Sequence, residues 1–179
     1  MRIEKLHIFE TNTDATASLR GYNYQILKTV ESWVENFLLK KDDEIYCDFE
    51  EDIFEKDTIA KEAKFRQIKL YSKNFSFSSE EVNKCIAHFF MLHAKTDYQD
   101  YDKSFVFEAN TNVAQKKGDN DAELLREWYE HQDSFSEELQ NRCAAKVKSI
   151  VSDYITKRTK ALEDKVEDSV LEEATEIFD

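Results

Sequence analysis

The stretch Glu44-Ile45-Tyr46-Cys47-Asp48-Phe49-Glu50-Glu51-Asp52, with the second strand-like run Phe65-Arg66-Gln67-Ile68-Lys69 after it, decides how this chain is read. The first run alternates in character, so Tyr46, Asp48, Glu50 and Asp52 share one face of an extended strand, while Ile45, Cys47 and Phe49 share the other with Glu51. In the second run Phe65, Gln67 and Lys69 fall together. Pairing the two as a hairpin across the polar stretch from Phe54 to Lys61 brings Asp52, Gln67 and Lys69 towards one spot. A carboxylate, an amide oxygen and an ammonium then converge.

Such a trio has a defined chemical use. A carboxylate oxygen and a neutral oxygen can hold Mg²⁺, which keeps several waters and takes further ligands from substrate phosphate. The metal lowers the pKa of a bound water and offsets charge on the phosphorus oxygens. A lysine beside it orients or deprotonates the attacking water, or stabilises developing negative charge. The same spacing also fits an ordinary surface hairpin in which Asp52 and Lys69 form a salt bridge.

The arrangement resembles the PD-(D/E)XK nuclease superfamily, in which an acidic residue ends one strand and a (D/E/Q)-x-K motif lies on the next. Gln67-Ile68-Lys69 is similar to the Q-x-K version of Mrr-like restriction endonucleases. The chain also resembles the N-terminal effector nuclease domains of bacterial anti-phage systems of the CBASS and AVAST types. Arg20-Gly21-Tyr22-Asn23-Tyr24-Gln25, Glu51-Asp52-Ile53, Gln67-Ile68-Lys69 and Phe105-Val106-Phe107 running into Ala109-Asn110-Thr111 carry that resemblance, over roughly residues 15 to 115. It implies catalysis by Asp52, Gln67 and Lys69, with Asp52, Gln67 and Glu50 around Mg²⁺, or Mn²⁺ as the alternative ion. Which of Glu50, Glu51 and Asp52 ligates metal stays open, although strand alternation favours Asp52. The superfamily's first helix can lend an acid to the site, and Glu31, at the edge of that helix's apolar stripe, is the candidate here. Gln25, in the helix-opening motif, is a candidate DNA contact.

Composition sets the outer bounds. The 179 residues, 41% hydrophobic and 13% aromatic, suffice for one good core and an appended helical piece. No run approaches the roughly 18 apolar residues of a membrane helix and no signal-peptide pattern opens the chain, so the cytoplasm is the expected compartment. Cys47, Cys85 and Cys143 lack metal-ligand or redox spacing and read as reduced core residues. The net charge of −13 opposes tight DNA binding, which depends on phosphate neutralisation by Lys and Arg. Its location softens that objection. Of 38 acidic and 25 basic residues, 17 and 8 lie from Asp119 onward, which leaves 21 and 17 in the first 118 residues.

In chain order, Met1 to Thr16 reads as a short strand or arm. Ser18 to about Lys40 reads as a long core helix, because Tyr22, Ile26, Leu27, Val30, Trp33, Val34, Phe37 and Leu38 recur at helical spacing. After the hairpin, Lys73 and Asn74 in a polar-aromatic loop are candidate contacts to the DNA backbone, and Ser78 or Ser79 caps a helix whose stripe includes Val82, Cys85, Ile86 and Phe89. Lys103 to Ala109 is a further strand. Lys116-Lys117-Gly118 marks a boundary between a nuclease core at 1–117 and an acidic helical extension at 118–179. The extension carries Val147, Val151, Tyr154, Leu162 and Val166 as a stripe suited to self-association, or to a link with a further domain.

Glycine loops for phosphate, nucleophile elbows and Cys/His clusters do not occur in the sequence. The expected fold is α+β: a small mixed sheet flanked by helices, like a restriction-endonuclease core, with a C-terminal helical extension. The expected function is a Mg²⁺-dependent endonuclease acting on double-stranded DNA as the effector of an anti-phage system. Expected partners are copies of itself, as a dimer or tetramer, and an attached sensor domain or partner protein, with no membrane. The competing expectations are a non-catalytic α+β interaction module and, on net charge alone, an acidic mimic of DNA.

Overall fold

The computed structural model describes residues 16–115 and 118–162. Helix α1 (Thr16–Leu39) leads into three antiparallel strands, β1 (Glu44–Cys47), β2 (Ile53–Asp57) and β3 (Glu62–Lys69). Helix α2 (Glu80–Ala94) and a 3-10 turn (Thr96–Tyr98) then cross to β4 (Asp102–Ala109), which pairs parallel to β3. Helices α3 (Asn120–His131) and α4 (Glu137–Leu162) follow. With the strand order β1-β2-β3-β4, this is an α+β fold with a mixed sheet between helices, in agreement with the sequence expectation. The expected arm up to Ala15, Lys116, Lys117 and the tail beyond Leu162 lie outside the described residues.

The extended run expected from Glu44 to Asp52 is broken in its middle. Asp48 takes a left-handed backbone (φ 55), which a short polar side chain tolerates, and its N–H donates to the Asp52 carbonyl at 3.1 Å. Residues 48–52 therefore form a turn, and strand alternation no longer governs their side chains. The stretch expected to be only a connection supplies β2, whose charged Glu55-Lys56-Asp57 end hides its strand character in sequence. The reversal comes later. The Asp57 carboxylate accepts from the N–H groups of Ile59 and Ala60, both at 2.8 Å, and Lys61 (φ 59) closes the turn.

The face of the sheet towards α2 is aromatic. Phe54 and Phe65 stack with centroids 4.9 Å apart, Phe105 stacks on Phe65 at 5.3 Å, and Tyr98 meets both Phe54 and Phe65 edge-on. Leu92 and Ala63 complete this buried cluster. A second cluster joins Phe77 and Val82 to Leu124, Leu139, Cys143 and Ile150, so α3 and α4 pack on the start of α2 and the loop before it. Val151 is buried where α4 meets α2, and Tyr154 is partly exposed. Of the expected stripe, the Leu162 side chain and Val166 are outside the described residues.

The opposite face, towards α1, carries a polar network beside the buried Ile53 and Ile68. Arg66 donates to Ser32 and Glu55 through Nη1 and to Glu108 through Nη2, and Lys28 reaches Glu108 at 2.7 Å. Among the described side chains of α1, Thr29 and Ser32 are the buried ones, and Asn36 donates to the Asp43 carbonyl. The expectation that the apolar stripe makes α1 a core helix is therefore overturned. Periodicity reveals that a helix has an apolar side, not which side is covered. Here the sheet offers α1 ionic partners, and the stripe faces outward.

Candidate active site

The β2–β3 register, which sets Ile53 against Arg66, carries Asp52 alongside Gln67 just beyond the ladder. Its Oδ2 accepts from the Gln67 amide and from the Ile68 backbone N–H at 2.7 Å, and the Lys69 ammonium lies 3.6 Å away. The structure thus brings together all three members of the expected trio. Gln67 and Lys69 share a strand face with Phe65 on β3, so they belong to the α2 side of the sheet. The trio lies where β3 and β4 end and β2 begins.

Each of the three adjacent acids has its own cationic or ionisable partner. Glu50 accepts at Oε1 from Lys95 (2.6 Å) and Tyr98 (2.8 Å). Burial works to raise the Glu50 carboxyl, but these hydrogen bonds outweigh it and hold it below the usual range. Glu51, whose side chain is only 3% exposed, pairs through Oε1 with His88 Nδ1 at 2.6 Å. Asp52 keeps Lys69. The expectation that Glu51 points to the opposite strand face fails because residue 51 sits in a turn; it reaches α2 instead. Its carboxylate raises the His88 pKa by hydrogen bonding, against partial desolvation. Nearby, burial pushes the Cys85 thiol far up, with Glu51 and Asp52 adding to the effect and Lys69 opposing it.

The Glu51–His88 pair has no signature in the sequence. Residues 37 positions apart follow no motif, and the available signal was that Cys85 and His88, at i and i+3, share a helix side facing a sheet that ends in acids. Other candidates fall elsewhere. Glu31 pairs with Lys28, which bridges to Glu108, and so lies on the α1 side of the sheet, away from the trio. Gln25 is half-buried on α1, and its carbonyl accepts from the Thr29 hydroxyl. Lys73 and Asn74 are exposed in the loop after β3, at the same end of the sheet as Lys69. That loop is pinned to the end of β4: Asn110 exchanges hydrogen bonds with the backbone of Tyr71, and Thr111 donates to the Lys73 carbonyl.

The donor chemistry fits a hard divalent cation. Asp52 Oδ1 has no hydrogen-bond partner among the described residues, and Gln67 engages the carboxylate through its amide nitrogen, which leaves the amide oxygen as a second oxygen donor. Among the described residues, no three His, Cys, Asp or Glu side chains gather as a metal cage. Mg²⁺ needs no such cage, because one or two protein oxygens, waters and substrate phosphate complete its shell.

Among the described residues, no helix is long and apolar enough to cross a membrane. No curated protein and no solved structure matches the chain. The family model described as Cap4, dsDNA endonuclease domain, matches residues 16–178, nearly the full length in which the Asp52–Gln67–Lys69 trio is set, and the chain belongs to that family.

Proposed function

We propose that the chain is a metal-dependent DNA endonuclease of the PD-(D/E)XK type with an Mrr-like Q-x-K motif, serving as the effector of a bacterial anti-phage system in the cytoplasm. The observation that carries this reading is the convergence of Asp52, Gln67 and Lys69 at one end of the sheet in a member of a double-stranded-DNA endonuclease family. Mg²⁺, with Mn²⁺ as the alternative, is the proposed cofactor, held by Asp52 and the Gln67 amide oxygen with Glu50 as a third oxygen donor. When bound, it supplies an acidified water and neutralises phosphate charge.

The chain's own groups do the rest. Lys69, held beside Asp52, places a positive charge where negative charge develops on the phosphate oxygens and orients the attacking water. The Ile68 N–H fixes the Asp52 carboxylate, so its free oxygen is aimed before substrate arrives. Lys73 and Asn74 contact the DNA backbone beside the scissile phosphate. Glu31 and Gln25 sit on α1, across the sheet from the trio, and touch neither metal nor the reacting phosphate. An acidic domain binds duplex DNA weakly, so the working form is a dimer or tetramer, gathered by an attached sensor domain or a partner protein.

The test is plasmid cleavage at high protein concentration. Nicked and linear products with Mg²⁺ or Mn²⁺, and intact supercoiled plasmid once EDTA is added, are expected. Intact plasmid under every metal condition would leave Asp52–Lys69 as a surface ion pair of a non-catalytic interaction module.

A further inference from the structure

Helix α1 turns its polar side to the sheet and its apolar side to solvent. With steps of 100° per residue, Lys28, Thr29, Ser32 and Asn36 mark the sheet side, and a continuous stripe from Leu19 through Tyr22, Leu27, Trp33 and Phe37 to Leu38 marks the outer one. Phe37 is 81% exposed, Leu38 70% and Leu27 65%. At 150–250 Å² for each large side chain, the stripe offers on the order of 1,000 Å² of apolar surface. Soluble monomers rarely leave a patch of that size uncovered.

We propose that this face docks against the same face of a second copy of the chain, α1 packing antiparallel on α1. Area is the first argument, since a stable interface buries about 800 Å² per partner and the stripe alone supplies it. Self-complementarity is the second. A two-fold axis at the level of Lys28 sets Leu19 against the partner subunit's Phe37 and Ile26 against the partner subunit's Val30.

The seam lies on the α1 side of the sheet and the trio on the α2 side, so docking leaves the candidate site open. This gives a surface to the self-association invoked above and rests on that reading for its purpose; its test measures mass, not cleavage. The 179-residue chain is followed by light scattering across a dilution series. The mass should rise from 21.2 kDa towards twice that value with concentration. Leu27→Asp with Phe37→Asp should stay at the monomer mass with an unchanged circular dichroism spectrum. The proposal is overturned by a wild-type chain that stays monomeric at every concentration, by a dimer that survives Leu27→Asp with Phe37→Asp, or by a dimer lost only on deleting residues 163–179, which would assign the seam to the tail.

Discussion

On the α2 side of the sheet, Phe54, Phe65 and Phe105 stack across three neighbouring strands, whereas on the α1 side the next residue of the same strand, Arg66, is held by Glu55, Glu108 and Ser32. One residue of β3 separates two kinds of adhesion. The aromatic face is stabilised by apolar burial, which is roughly proportional to area and indifferent to direction. The ionic face costs desolvation for each charge and recovers it only in one geometry. It therefore acts more by placing α1 than by adding stability, and it frees the apolar side of α1 for another partner.

The largest effect that can break this comparison is Arg66→Ala. Arg66 is 9% exposed, and its loss leaves the Glu108 carboxylate with Lys28 and the Glu55 carboxylate with Ser32 and Lys64. Removing one partner of a buried pair costs about 3–5 kcal/mol, similar to the cavity left by Phe65→Ala. Urea denaturation separates the two by pH. Against burial, Lys28 and Arg66 hold the Glu108 carboxyl below its usual range, so the Arg66→Ala deficit should shrink as pH falls and that carboxylate protonates, while the Phe65→Ala deficit should not. A pH-independent Arg66→Ala deficit of under about 1 kcal/mol would mean that the network behaves as an exposed one, and the distinction between the faces would fail.

Next in size are changes at the site. Lys69→Ala and Asp52→Asn should each lower plasmid nicking by about a hundredfold or more while leaving the unfolding midpoint nearly unchanged. Asp52→Asn retains an oxygen that can accept from the Ile68 N–H, so the local backbone should hold. Nicking within a few-fold of wild type in a folded Lys69→Ala protein would remove Lys69 from the chemistry.

The trio is legible because a two-residue side-chain period and a hairpin are enough to bring Asp52 to Gln67 and Lys69. The strand β2, which the sequence presents as a polar connection, leaves the convergence intact because Asp52 lies at the junction of turn and strand under either connection. The strand β4 was equally plain in Phe105-Val106-Phe107. What lay beyond reach depended on tertiary partners. Asp48 breaks the first strand through its own backbone angle, Glu55 is tolerated in β2 because Arg66 waits across the ladder, and α1 turns its polar side inward to meet that arginine. Three adjacent acids could not be told apart in sequence. Lys95, His88 and Lys69, drawn from three separate segments, separate them.

Glu50 sharpens that separation with a smaller effect. Its carboxylate ties the turn at residues 48–52 to the end of α2 through Lys95 and Tyr98. Glu50→Gln should cost about 1 kcal/mol, as an ordinary hydrogen bond does, and should leave nicking within about tenfold. A loss as deep as that of Asp52→Asn, with a matching rise in the Mg²⁺ concentration required, would instead make Glu50 a principal metal ligand.

The smallest effect belongs to Glu51 and His88, and its sign follows from linkage. Glu51 raises the folded-state pKa of His88, so the pair contributes stability that is fully present below the ordinary histidine value of about 6.5 and is lost as pH rises through the folded value. His88 is 39% exposed at its side chain, so solvent screening keeps the contribution small. Glu51→Gln keeps the shape and an oxygen for the imidazole but removes the charge. Wild type should therefore exceed Glu51→Gln most at pH below about 6.5, with the gap in urea midpoint narrowing as pH climbs. In parallel, the His88 ring resonances should titrate above the ordinary value in wild type and lower in Glu51→Gln. Equal titration in both proteins would show that the Glu51 carboxylate leaves the imidazole unperturbed, and the distinct partnering of the three acids would then rest on Glu50 and Asp52 alone.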